Sequence, residues 1–124
     1  MTAGVGLLLS DDLIFTSKVL ATARAHGGTV RVGRSCDNLL TLAQEHRPTA
    51  IILDLHFPQL DLQNLLEKMR AGLEYMPLFI GYGSHVDVAT LKAARQAGLD
   101  RVMPRSQFVD ELETALPQWL TSQG

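Results

Sequence analysis

The chain of 124 residues contains a single cysteine, Cys36, so no internal disulfide can form and the fold must stand on packing. That usage fits a reducing compartment and points to a cytoplasmic protein. Charge of one sign is also missing: eleven basic residues face thirteen acidic ones, a formal net charge of -2. With no positive field, direct nucleic-acid binding is excluded as an expectation. No apolar run approaches the roughly 20 residues of a membrane span, and the start, Met1-Thr2-Ala3-Gly4, lacks the basic segment of a secretory leader. Gly-rich phosphate cradles are absent as well. Neither G-x-G-x-x-G nor G-x-x-x-x-G-K-[ST] occurs, which argues against dinucleotide and nucleoside-triphosphate sites.

What is present is 46% hydrophobic residues in a length suited to one domain, expected to span 1–124. Short apolar runs alternate with stretches of helical period. The runs are Val5-Gly6-Leu7-Leu8-Leu9, Thr29-Val30-Arg31-Val32, Ala50-Ile51-Ile52-Leu53, Leu78-Phe79-Ile80 and the shorter Arg101-Val102-Met103. Most are apolar without alternation, as strands buried on both faces are. The intervening stripes read as helices: Phe15, Val19 and Ala23 beside Leu20; Leu39, Leu42 and Ala43; Leu62, Leu65, Leu66 and Met69; Val88 and Leu91; then Phe108, Leu112, Ala115, Leu116 and Trp119, with Pro117 expected to kink or end the last. Ser35 and Ser106 are expected N-caps, Ser84 with Asp87 a capping box, and Gly72 and Gly98 C-caps. Strict strand–helix alternation predicts an α/β fold, a three-layer α/β/α sandwich around a five-stranded parallel sheet.

In such a sheet ligands bind beyond the C-terminal ends of the strands. Those ends carry Ser10-Asp11-Asp12, Asp54 with His56, Gly83-Ser84-His85, and Pro104-Arg105. Clustered carboxylates repel unless a cation lies between them, so Asp11 or Asp12 near Asp54 suggests a hard cation such as Mg²⁺. Asp11, Asp12 and Asp61 also suit helix starts, where the macrodipole favours acids. Asp54, at the end of a central apolar strand, is costly to bury without a partner or a use.

On these residues the sequence resembles the receiver domains of bacterial two-component response regulators. Asp54-Leu55-His56-Phe57-Pro58-Gln59-Leu60-Asp61 is similar to the family pattern D-L-x-M-P-x-x-D-G, with Phe57 for Met and Leu62 at the Gly. Ala97-Gly98-Leu99-Asp100 resembles the A-G-A-D turn before the fifth strand, and Ser84-His85-Val86-Asp87 the start of the fourth helix. The resemblance implies a CheY-like, flavodoxin-like strand order 2-1-3-4-5 and a phosphorelay role. It makes Asp54 the phosphoacceptor, with a histidine kinase as donor. Mg²⁺ would be held by Asp11, with Asp12 or Ser10, by Asp54, and by the backbone carbonyl of His56. The side chains of His56 and His85 would border the site at positions that tune dephosphorylation.

Two departures stand out. Counted from Gly98, the switch Ser/Thr of the family becomes Gly83, with Ser84 adjacent and the phenol of Tyr82 beside the gap. The lysine becomes Arg105, and the proline after it Ser106. Arg keeps the charge but presents a planar fork, so the exchange is not conservative. Three readings are open: an atypical, pseudo-receiver module signalling through protein contacts, with Arg105 paired to Asp54; a working phosphoprotein with Asp54 as nucleophile, aided by Arg105 and Ser84; and a small metal site on Asp54, His56 and His85. A signalling-protein partner is expected, and Arg95, Asp100, Arg101 and Glu111 could serve a homodimer, although a solvated charged face explains those four better. His26 and His46 read as solvated helix-end residues, Cys36 as a packing residue and Trp119 as a core or rim anchor. After Thr121-Ser122-Gln123-Gly124 no output segment is expected.

Overall fold

The computed structural model describes residues 4–121. Residues 1–3 and 122–124, on which the expectations about a leader and an output segment rest in part, lie outside the described residues. Five strands and five helices alternate: β1 (Val5–Leu9), α1 (Leu13–Ala25), β2 (Thr29–Gly33), α2 (Cys36–His46), β3 (Ala50–Asp54), α3 (Leu62–Gly72), β4 (Leu78–Gly83), α4 (Val88–Ala97), β5 (Arg101–Pro104) and α5 (Arg105–Trp119). The sheet is parallel throughout, in the order β2-β1-β3-β4-β5. The expected α/β class and the 2-1-3-4-5 order are therefore both observed.

Side-chain alternation divides the core in two. Leu8, Ile52, Ile80 and Tyr82 face α1 and α5, where Phe15, Phe108 and Trp119 complete an aromatic stack. Leu7, Leu9, Ile51, Leu53 and Phe79 face α2, α3 and α4, where Leu39, Leu65, Leu66, Met69 and Leu91 pack. Both layers are apolar, which is why these strands carry no polar alternation. Among the described residues no helix is long and apolar enough to cross a membrane.

Several local expectations change. β4 runs on past the apolar run Leu78-Phe79-Ile80 through Gly81-Tyr82-Gly83, because glycine here makes room instead of turning the chain. A Cβ at Gly81 would stand 2.7 Å from Leu99 Cδ1 and 3.0 Å from Leu55 Cδ2. Ser35 caps α2 as expected, accepting from Asn38 N–H at 3.0 Å. Ser106 is not a cap: α5 begins at Arg105, behind Pro104, with no side-chain cap at all. Ser84 does not cap α4 either, since that helix starts later and Asp87 is its N-cap, accepting from Thr90 N–H at 3.1 Å. Gly98 ends α4 in the left-handed region, φ 105°, whereas Gly72 is the last residue of α3 and Leu73 the cap. α5 passes through Pro117 and stops two residues later, because only its final turn feels the lost N–H.

Candidate functional site

Asp54 ends the central strand β3 and lies in register with Tyr82 of β4, so its side chain is carried to the C-terminal edge of the sheet. It is 9% exposed. Its Oδ1 accepts the backbone N–H of His56 at 2.9 Å. Burial pushes the Asp54 carboxyl above the ordinary carboxylate range, and the backbone N–H of His56 with the nearby Arg105 charge offsets this only partly.

Asp12 serves two purposes. As N-cap of α1 it accepts from Phe15 N–H through Oδ1 at 3.0 Å, and through Oδ2 it accepts from Arg105 Nη2 at 2.6 Å. These contacts, the Phe15 N–H first, hold its carboxyl below the ordinary range. Arg105 enters from the first turn of α5, and its guanidinium lies over the Phe15 ring, 4.6 Å from the centroid. The expected Arg105–Asp54 pair is thus replaced by an Arg105–Asp12 pair. Asp12 is nearer in the fold because capping already points it at the start of α5. Asp11 is exposed, while Ser10 is buried and its Oγ accepts from Asp12 N–H at 3.2 Å.

Tyr82 is 1% exposed, stacked between Phe15 and Phe108, and its hydroxyl has no hydrogen-bond partner although Ser10 lies near. Burial pushes its phenol far above the ordinary range, so it stays protonated and available as a donor.

On the other side of Asp54, His56 folds over β4. Its Nε2 accepts the backbone N–H of Ser84 at 3.0 Å, and a Cβ at Gly83 would stand 3.1 Å from that same nitrogen. Ser84 Oγ is turned into its own loop, accepting from Val86 N–H at 3.3 Å. His85 is exposed.

A hard cation needs several carboxylate or carbonyl oxygens gathered around one point. Both oxygens of Asp12 already have donors, Asp54 gives one of its oxygens to His56 N–H, and Asp11 is turned to solvent. Among the described residues no three His, Cys, Asp or Glu side chains stand close enough to hold a metal ion together. As arranged, the residues proposed for Mg²⁺, namely Asp11, Asp12, Asp54 and the His56 carbonyl, do not fit it. The alternative trio of Asp54, His56 and His85 is not assembled either, because the His56 ring turns to Ser84 and His85 to solvent.

The remaining candidates fall elsewhere. Asp61 is the N-cap of α3, His26 pairs with Glu113 at 3.1 Å, and His46 ends α2. Asp100 is not simply solvated: its Oδ2 accepts from Phe79 N–H at 2.8 Å. Cys36 packs at the edge of the aliphatic layer, where burial raises its thiol. Sequence reasoning missed the exposed apolar pairs Leu13 and Ile14, at 80% and 86% exposure, and Val86 and Val88, at 76% and 66%. The break in helical period at Leu13-Ile14, just before the buried Phe15, was the signal that could have found them. A cavity of about 780 Å³ opens at the opposite end of the sheet, beside Arg47, Arg70, Tyr75 and Trp119. It touches none of the strand-end residues.

No family model matches the sequence, and no curated protein matches it either. Solved structures do share the fold. NtrX from Brucella abortus in complex with ADP is 20% identical with a TM-score of 0.78, over 97% of this chain and 27% of that one. The chain thus spans about a quarter of that protein's length. The receiver domain of the same NtrX is 19% identical with a TM-score of 0.75, covering 93% of this chain and 97% of that one. A putative response regulator from Chloroflexus aurantiacus is 18% identical, TM-score 0.76, with 96% and 98% covered. The fold is that of response-regulator receiver domains.

Proposed function

We propose that this chain is a receiver-like signalling module, one domain over 1–124, that works through protein contacts and not through metal-dependent phosphorylation of Asp54. One observation carries the reading: Asp12, one of the two acids after β1, has both carboxylate oxygens engaged, one by the helix it caps and one by Arg105. Gly83 adds to it by offering no hydroxyl to a phosphoryl oxygen, while Ser84 Oγ is turned into its loop. The exposed Leu13, Ile14, Val86 and Val88 flank this edge and suit an apolar contact with a cytoplasmic signalling partner or a second copy.

The second reading keeps Asp54 as phosphoacceptor for a histidine kinase with Mg²⁺. It is favoured by the carboxyl itself, buried at a central strand end and raised by burial, where a purely structural acid is costly. In that case Asp12 would have to release Arg105 to the phosphoryl group, making Asp11, Asp12 and the His56 carbonyl available to the ion.

Incubation with acetyl phosphate and Mg²⁺ followed by intact-mass measurement separates the two. No adduct is expected. A base-labile mass gain that disappears in Asp54→Ala overturns the contact-only reading.

A further inference from the structure

His56 makes two contacts that no other residue joins. Its backbone N–H holds Asp54 Oδ1 at 2.9 Å, and its ring Nε2 receives Ser84 N–H at 3.0 Å. The β3–α3 connection is thereby tied to the loop between β4 and α4. That loop is otherwise held by short local bonds: Val86 N–H to Ser84 Oγ at 3.3 Å and Asp87 N–H to the Ser84 carbonyl at 3.1 Å. These shape the turn but do not anchor it to the sheet.

Gly83 is the other half of the arrangement. A Cβ there would meet His56 Nε2 at 3.1 Å and Leu91 Cδ2 at 3.4 Å. A Cβ at 83 would make the imidazole give by a few tenths of an ångström, against its bond to the Ser84 amide. The glycine needs no positive φ to explain it, since Gly83 closes the regular strand β4 in register with Pro104. Its smallness admits the ring.

We propose that His56 is the positioning residue of the β4–α4 loop, a latch whose seat is the bare backbone of Gly83 and Ser84. The latch fixes where Val86 and Val88 stand and links them to the carboxylate of Asp54 through one residue. Its consequence rests on the contact-only function: without chemistry at Asp54 the loop stays in this one position, ready for a partner.

Amide exchange with solvent, followed by NMR on the full chain, reads the latch directly. His56→Ala is expected to speed exchange at Ser84 by roughly 3- to 10-fold, the worth of one hydrogen bond, with the amides of Ile52 and Ile80 unchanged. His56→Gln restores protection, because its Oε1 lies as many bonds from Cβ as Nε2 does and is an acceptor. Gly83→Ala speeds Ser84 exchange when His56 is present and adds nothing in His56→Ala. Unchanged Ser84 exchange in His56→Ala, a rise shared by the core amides, or additive effects of the two substitutions overturns the proposal. Should His56→Ala fail to fold, Gly83→Ala in the native background tests the same bond. Phosphorylation of Asp54 by acetyl phosphate would remove the contact-only function and leave the exchange result to be judged alone.

Discussion

The two layers on either side of the sheet solve one problem with different chemistry. On the α1/α5 side the core is aromatic, with Phe15, Tyr82, Phe108 and Trp119 in successive contact at centroid distances of 4.8 to 5.8 Å. On the α2/α3/α4 side it is aliphatic, built from Leu, Ile and Met, with Phe79 its one buried aromatic. The aromatic layer reaches the C-terminal edge at Phe15, and Arg105 lies over that ring with Asp12 at its end. The aliphatic layer ends at Gly83 and Leu91, leaving a notch that the His56 ring fills. Asp12 and His56, on the two sides of Asp54, are thus each engaged by a neighbour on their own side. The edge is closed twice, by an ion pair over aromatics and by an imidazole in a glycine notch.

The largest expected effect comes from removing the centre of the aromatic layer. Phe108 is fully buried and touches Phe15, Tyr82 and Trp119. Phe108→Ala should cost about 3–5 kcal/mol in chemical denaturation, from lost burial and the cavity left behind. Leu65→Ala, in the opposite layer and 1% exposed, falls in the range of about 2–5 kcal/mol. The two cavities should differ in their reach. Phe108→Ala should also loosen Arg105, since Phe15 loses its backing, whereas Leu65→Ala should not. Equal loss of order at Arg105 in both variants, read from its side-chain NMR signals, would break the comparison.

A smaller change is expected at the carboxylate between the layers. The folded state raises the Asp54 carboxyl above its unfolded value, so Asp54 favours folding most below about pH 4, its ordinary range. That contribution is lost as pH rises through the raised folded value, and at pH 7 the ionised group burdens the fold. Asp54→Asn keeps an acceptor for His56 N–H and should stabilise the protein by about 1 kcal/mol at pH 7. The gain should shrink as the pH falls towards 4. A variant less stable than the parent at pH 7 shows instead that the charge is well paired.

Much of the fold could be read from residue pattern. The continuous apolar strands, the helical stripes, the Ser35 cap and the Gly98 turn all lie within a few residues of the information that specifies them. The errors have one physical source. The apolar run Leu78-Phe79-Ile80 ends before Gly81-Tyr82-Gly83, yet the strand goes on because each glycine yields space to a distant side chain, Leu99 and Leu55 at one and His56 at the other. Site residues could be placed at the strand ends, because the topology sends them there. Their pairing could not. Arg105 chose Asp12 across 93 positions, and His56 chose Ser84 across 28, on geometry that only the packed layers create. The bare phenol of Tyr82 is of the same kind: proximity to the gap was visible, the missing partner was not.

The smallest effect should come from Asp12→Asn, and it decides how the aromatic side of the edge is held. Asn caps helices about as well as Asp, so the bond to Phe15 N–H survives and only the ion pair is lost. The pair is partly open to water, with side-chain exposures of 47% for Arg105 and 34% for Asp12. An exposed pair is screened, so the loss should be less than the Asp54→Asn change and should fade in roughly 0.5 M salt, read as convergence of the two denaturation midpoints. Arg105 should keep its place over Phe15, since the stacked guanidinium does not need the carboxylate to stay on the ring. A loss that persists in high salt would mean that the ion pair, not the aromatic surface, organises this edge, and the contrast between the layers would then rest on the His56 notch alone.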